Sequence, residues 1–342
     1  MDVLVVGDGI IGLATAVELA RRGAKVTVLG KAQQGAATWA SGGLLAPSTG
    51  PLPDAVRPFF MDSLRAYPAF VARLSAADPG LSVIAGLIEL GAAGQRGMDA
   101  AELKELEPSL PWRPGILLHA QDGAVDARRL LAALRKTAEA TPFVNLEAGA
   151  WVTRLELHGA RLTIKTSSGS VITAETLILA AGAWSPRVEG LPRPIPVTPL
   201  KGQMIALEGA PLTHPVLADH TYLVPRSGLT IVGSTSEETG FDSTTDDGTA
   251  ATLARLAGEV TPALAGARIV DHWAGLRPMT PDRMPIIGRD PDVPGLIYAC
   301  GHSRNGILLA PATAESVSDL AMQAVPRHDL EPFHIGRFDG IS

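Results

Sequence analysis

The chain opens on a run of aliphatic residues, Val3-Leu4-Val5-Val6 after Asp2, too short for a helix and too uniformly apolar for a strand with one wet face. It predicts a buried strand of a parallel sheet. The glycine-rich stretch Gly7 to Gly12 follows, then a helical pattern over Leu13 to Arg22 that Gly23 ends, and a second strand pattern over Lys25 to Leu29. Together these form a βαβ unit. Helical patterning returns from Asp54 to Ala77, with interruptions expected at Pro58 and Pro68. A cleaner helix starts at the N-cap Asp126 and places Leu130, Leu131 and Leu134 on one face. Trp151 to Leu157, Arg161 to Thr166 and Val171 to Thr173 read as hairpin strands around His158-Gly159 and Ser167-Ser168-Gly169. Leu177 to Ala181 is uniformly apolar and breaks at Gly182, which suits a strand returning to the first sheet. Strands and turns dominate Pro199 to Gly233, a helix is predicted over Thr249 to Ala257, and a last buried strand, Gly295 to Cys300, leads through a polar loop into an apolar helix reaching about Gln323. The expected fold class is α/β with an α+β second part: a Rossmann-like sheet carrying an inserted, mainly antiparallel domain.

The glycines of Gly7-Asp8-Gly9-Ile10-Ile11-Gly12 have separate roles in such a unit. Gly7 permits the tight turn, Gly9 lets backbone approach a pyrophosphate, and Gly12 lets helix and strand pack closely. The helix N-terminus adds free amides and a positive dipole. A strand before and a helix after, in register, make this a dinucleotide site. The acid that usually ends the second strand and holds the adenosine ribose is absent: the position is Gly30, followed by Lys31, Ala32, Gln33 and Gln34. Either a basic residue here accepts a 2′-phosphate, or backbone groups with Gln33 or Gln34 hold the ribose and an acid added at Gly30 would tighten binding.

Composition narrows the choice. With 342 residues the chain has room for about two domains, and 46% hydrophobic against 19% charged residues excludes disorder as the main state. A net charge of −6 without basic, aromatic-interleaved windows disfavours nucleic acid. Val3 to Ala20 contains Asp8 and Glu18 and its basic pair follows the apolar run, so it reads as core rather than membrane anchor or signal. A single cysteine, Cys300, rules out an intrachain disulfide framework, and the eight histidines show no ligand-spaced pair with a carboxylate beside it, so no metal is expected. The cytoplasm is the natural compartment.

Three C-terminal stretches carry a further signal: Asp219-His220-Thr221-Tyr222-Leu223-Val224-Pro225-Arg226, Trp273-Ala274-Gly275-Leu276-Arg277-Pro278, and Gly301-His302-Ser303-Arg304-Asn305-Gly306 running on to Pro311. With the N-terminal unit they resemble the FAD-dependent D-amino-acid oxidase superfamily, and within it the glycine oxidases of the thiamine pathway, from Val3 to about Met322. The resemblance implies an FAD-binding domain formed by 1–78, 122–198 and 276–342 and a substrate domain formed by 79–121 and 199–275. It implies non-covalent FAD held at Gly7, Gly9, Ile10, Ile11 and Gly12, at Thr38, Gly42, Gly43 and Leu44 beside the ring and ribityl chain, at Val152 on the adenine side, at Gly182, and at Gly301, His302, Ser303, Arg304, Asn305, Gly306, Ile307 and Leu308. Arg277, Tyr222 and Arg304 are the implied catalytic residues, binding and orienting a substrate carboxylate. The implied reaction is oxidative deamination of glycine, sarcosine or small D-amino acids by hydride transfer to the flavin, with oxygen as acceptor and a homotetramer as assembly. The alternative is a dehydrogenase of the same fold that reduces a quinone or a protein. Gly30 departs from the usual acid, and Ser236 stands where a pocket methionine is usual.

The residues themselves leave other readings open. Arg277 lies among Trp273, Leu276 and Met279, so its guanidinium needs an anion, supplied by substrate or by a protein acid such as Asp271 or Asp282. Tyr222 could be a core aromatic and Arg304 a solvent-facing or helix-capping cation. Cys300 is either a flavin tether or a small core residue, and Trp184 is expected to pack.

Overall fold

The computed structural model describes residues 2–31, 33–92, 97–149, 151–158 and 161–340. The opening apolar run is the strand Asp2–Val6, its last four residues buried, and it lies inside a six-stranded sheet. Lys25–Gly30 pairs parallel on one side of it and Thr176–Leu179 on the other. Val144–Ala148 extends the first flank, and Leu296–Cys300 extends the second, followed by Ile286–Arg289 as the single antiparallel edge. The segment expected to return after the hairpins therefore sits directly beside the first strand. The helices Ile10–Arg21, Ala127–Ala140 and Gly306–Ala321 cover the sheet and share one apolar core with it. Asp126 caps its helix as predicted, accepting from the amides of Arg128 and Arg129.

A second sheet of eight strands is antiparallel except where Val216–Ala218 meets Val83–Glu89. Its longest pair, at one edge of the sheet, is Thr198–Glu208 with Ile269–Met279. The three hairpin strands, Val152–His158, Arg161–Thr166 and Val171–Ala174, form a small sheet of their own, and Gly159 of the predicted turn lies outside the described residues. Among the described residues no helix is long and apolar enough to cross a membrane.

The prolines correct one expectation. Pro58 does not interrupt a helix but lies in the first turn of Arg57–Ala72, where its missing N–H would have had no intrahelical partner, and Pro68 sits within that same helix. Pro311 likewise lies inside Gly306–Ala321, and here the compensation is visible. Proline cannot donate to the carbonyl of Ile307, which instead accepts from the Tyr67 hydroxyl. Ser63 fills the neighbouring gap, donating to the Leu308 carbonyl at 2.7 Å and accepting from the Ala312 amide at 3.2 Å. Two buried hydroxyls from Arg57–Ala72 thus fix the start of the helix that borders the site.

Candidate active site

The edges of the two sheets enclose a cleft of about 2050 Å³. At one end it is floored by the turn after the first strand. Gly7 has φ +118°, and a Cβ there would stand 2.3 Å from the carbonyl oxygen of Ala180. Gly12 faces away from the cleft; a Cβ on it would meet the Gly7 carbonyl oxygen at 1.9 Å, so the third glycine of the motif is required by close approach. Gly9 is different, because a Cβ there would touch only Thr38 Oγ1, at 3.4 Å. Its open side is the cleft. The helix beginning at Ile10 has no side-chain cap and no acid in its first turn, and Thr38 accepts from the Ile10 amide at 3.2 Å. A helix start with no acid in its first turn and no cap from its own N-cap residue, opening onto a long groove, fits a dinucleotide pyrophosphate.

Of the residues implied as flavin contacts, all but Gly12 and Leu308 line this cleft. The Leu308 side chain is buried in the helix–sheet core, because the first turn of Gly306–Ala321 turns that face inward, which leaves only its backbone amide at the helix start to serve a cofactor. Trp184 packs as expected, its ring centroid 5.7 Å from that of Phe241, and it also lines the cleft. Lys31, Gln33 and Gln34 also border the cleft. Gly30 does not offer the space expected of it: its φ is not positive, and a Cβ would fall 2.2 Å from Cγ of Asp8. A side chain added there meets one already present.

At the far end stand the two residues singled out for a carboxylate. Arg277 lies on Ile269–Met279 opposite Leu200, and Tyr222 lies on Thr221–Arg226 opposite Gly233. Glycines make the room: a Cβ at Gly202 would fall 2.2 Å from Arg277 Nη2, and one at Gly42 would fall 2.5 Å from the Tyr222 ring. Arg277 donates to Ser234 Oγ at 2.6 Å, to the Thr235 carbonyl at 3.2 Å and to the Lys201 carbonyl at 3.4 Å. Neither proposed protein acid reaches it. Asp271 pairs with Arg128 at 3.3 Å and Asp282 with Arg337 at 2.7 Å. Among the described residues no carboxylate forms an ion pair with Arg277. Glu237, which contributes to its field, is committed to Lys201 at 2.9 Å and to Gln203 at 3.0 Å. Desolvation lowers the Arg277 pKa, opposed by Tyr222, but arginine keeps its charge in any protein setting. Burial raises the Tyr222 pKa, so its hydroxyl stays protonated, 3.5 Å from Met204 Sδ. Arg304 is exposed on the loop before Gly306 and adds positive charge near Arg277.

Ser234, Met204 and Trp39 also line the cleft and were not singled out from the sequence. Arg128 lies between Trp39 and Trp273, 3.8 Å and 4.3 Å from their ring centroids, which fixes the wall along the strand that carries Arg277. An isolated serine or tryptophan carries no sequence signal for such a place. His220 is exposed at the rim. Cys300 is buried, and burial pushes its thiol up to about 12, so it is no ready nucleophile at neutral pH.

His302 is buried with Nε2 3.1 Å from Thr313 Oγ1, and burial pushes its pKa down to about 3 from an ordinary 6.5. It is neutral in the folded protein. Below pH 6.5 the unfolded chain binds a proton here that the folded chain refuses, so stability falls as pH drops from 6.5 toward 3. The loss approaches about 1.4 kcal/mol per pH unit in that window. Urea midpoints at pH 7 and pH 5 should therefore separate further in the native sequence than in His302→Gln. Equal separations would assign the titration elsewhere.

A Rossmann-like sheet that shares its cleft with an antiparallel sheet bearing an unpaired guanidinium is the arrangement of a nucleotide-dependent oxidoreductase acting on carboxylates. The family model described as FAD dependent oxidoreductase matches residues 2–320, and the chain belongs to that family; it is an FAD-dependent enzyme. It is 34% identical to glycine oxidase of Pseudomonas putida over 360 residues, covering 97% of both chains. Its fold superposes on the crystal structure of glycine oxidase from Geobacillus kaustophilus with a TM-score of 0.91 at 30% identity, covering 98% of each. The iminodiacetate oxidase of Chelativorans gives 0.87 at 26% identity, covering 97% of this chain and 98% of that one.

Proposed function

We propose that the protein oxidises glycine or another small amino acid, such as sarcosine or a small D-amino acid. Water and oxygen are consumed, and the products are a 2-oxo acid, ammonia or an amine, and hydrogen peroxide. The observation that carries this reading is Arg277: a desolvated guanidinium facing the cleft with carbonyls and a hydroxyl around it and no ion-paired acid among the described residues. A substrate carboxylate supplies the missing anion, and Tyr222 and Arg304 stand at the same end to complete the grip. FAD, when bound, takes up the hydride and returns the electron pair to oxygen. The turn Gly7 to Gly12, Thr38, Gly42 to Leu44, Val152, Gly182 and the loop Gly301 to Ile307 are the residues to hold it, and the high thiol pKa of Cys300 favours non-covalent attachment. The chain's own contribution is orientation: Arg277 and Tyr222 fix the carboxylate so that the Cα hydrogen faces the cofactor. The neutral His302 is no acid or base for this step, and none is needed once the amine has lost its ammonium proton.

The flavin segments are 1–78, 122–198 and 276–342 and the substrate segments 79–121 and 199–275, with Leu117–Val125, Thr198–Glu208 and Ile269–Met279 running on across three of these boundaries. A cytoplasmic homotetramer with a place in thiamine synthesis is the biological setting we infer from the resemblance. The decisive experiment is the visible spectrum of the purified protein followed by peroxide release over glycine, sarcosine and D- and L-amino acids. A yellow protein that frees FAD on denaturation and yields peroxide with a small amino acid is expected. Dye reduction without peroxide would make it a dehydrogenase, and no turnover on the panel would sink the reading.

A further inference from the structure

The second strand ends at Gly30 without the acid that ordinarily faces the adenosine ribose. The space for that acid is filled. A Cβ at Gly30 would stand 2.2 Å from Cγ, 2.3 Å from Cβ and 2.6 Å from Oδ2 of Asp8. The group in the way is itself a carboxylate. Asp8 lies between the first two glycines of the turn, and its side chain reaches across to the end of the neighbouring strand. Arg135, on the helix Ala127–Ala140, donates to Asp8 Oδ2 at 2.6 Å, while Oδ1 has no partner among the described residues. Asp8, Gly30 and Arg135 border the same end of the cleft as Trp151 and Val152.

We propose that Asp8 replaces the absent strand-end acid, its carboxylate accepting hydrogen bonds from the 2′- and 3′-hydroxyls of the adenosine ribose of FAD while Arg135 orients it. The inference rests on the flavin reading given above. A vicinal diol needs two acceptor oxygens at one place, and a carboxylate entering from the glycine turn supplies them as well as one entering from the strand. Gly30 is then the partner of this exchange: it has no side chain because Asp8 occupies the volume. The same carboxylate disfavours a 2′-phosphate, which removes the reading of Lys31 as a phosphate ligand.

The test measures FAD affinity of the apoprotein by flavin fluorescence for the native sequence, Asp8→Asn, Asp8→Ala, Gly30→Glu and the double variant Asp8→Ala with Gly30→Glu. Both Asp8 variants should weaken FAD at least about tenfold, the loss expected for charge-assisted hydrogen bonds. Gly30→Glu alone should also weaken it, whereas the double variant should regain most of the affinity because alanine clears the space the glutamate needs. Displacement of FAD by ADP and by 2′-deoxyADP adds a readout that a purely structural tie would leave unmoved: the native protein should prefer ADP, and Asp8→Ala should lose that preference. Native-like FAD affinity in Asp8→Ala and Asp8→Asn overturns the proposal, as does weakened affinity with the ADP preference intact. A native chain that takes up no FAD overturns the flavin reading itself, so the two failures are distinguishable.

Discussion

Arg277→Ala should lose about tenfold to more than a hundredfold in kcat/KM on every amino-acid substrate while the protein keeps its flavin spectrum. A charge-assisted pair in a dry site contributes about 1.5 to 3 kcal/mol, and that contact is what alanine removes. The flavin is spared because Arg277 stands at the opposite end of the cleft from the glycine turn and is held by Ser234 and two backbone carbonyls rather than by groups that floor the nucleotide end. Arg277→Lys should recover little. An ammonium is a point charge, whereas the guanidinium faces the carboxylate with a planar fork. Steady-state kinetics with the best substrate, beside a spectrum for flavin content, measure both effects. Near-native kcat/KM in Arg277→Ala would remove the residue from the site.

Gly12→Ala should damage the opposite end. The added methyl would lie 1.9 Å from the Gly7 carbonyl oxygen and 3.0 Å from its carbon, and both atoms are backbone that cannot swing aside. Overpacking of this kind costs about 1 to 3 kcal/mol or more, and each kcal/mol lowers Tm by roughly 2 to 4 °C in domains of this size. Affinity suffers with stability, since the turn and the helix start that present the phosphate-facing amides are forced apart. Purified Gly12→Ala should contain little FAD and melt several degrees early. Gly248→Ala is the control: it lies in the helix Asp247–Val260, where a Cβ meets only Asp246 Oδ1 at 3.3 Å, and its Tm should hold or rise. Equal flavin content in the two variants would show that close packing at Gly12 is dispensable.

The nucleotide half was legible because its signals are local. Val3 to Val6 has to be buried on both faces, and the spacing of Gly7, Gly9 and Gly12 has one structural use in that context. The second sheet was legible only in part. Val83–Glu89 and Leu117–Val125 escaped the sequence reading because Gly86, at φ +84°, sits at a register shift in one, and His119, Gln121 and Asp122 break the apolar alternation of the other. Arg277 and Tyr222 could be singled out through their neighbours along the chain. Ser234, which braces Arg277, and Asp8, which fills the space over Gly30, could not, since each depends on which strand ends meet in space. Pro68 did not interrupt its helix, which packs against Gly306–Ala321, and Pro311, inside a segment read as helical throughout, is compensated by hydroxyls about 240 positions away along the chain.

The bare guanidinium at the carboxylate end also shapes how the resting enzyme meets its surroundings. Held among carbonyls, with no ion-paired acid among the described residues, Arg277 is placed to take up a single exchangeable anion. Chloride, acetate and other small buffer anions should compete with substrate for that place, so apparent KM is expected to rise with their concentration while kcat stays level. The same anions should protect the protein against heat by mass action, so a preparation stored in acetate is expected to be at once more durable and less responsive to dilute amino acid.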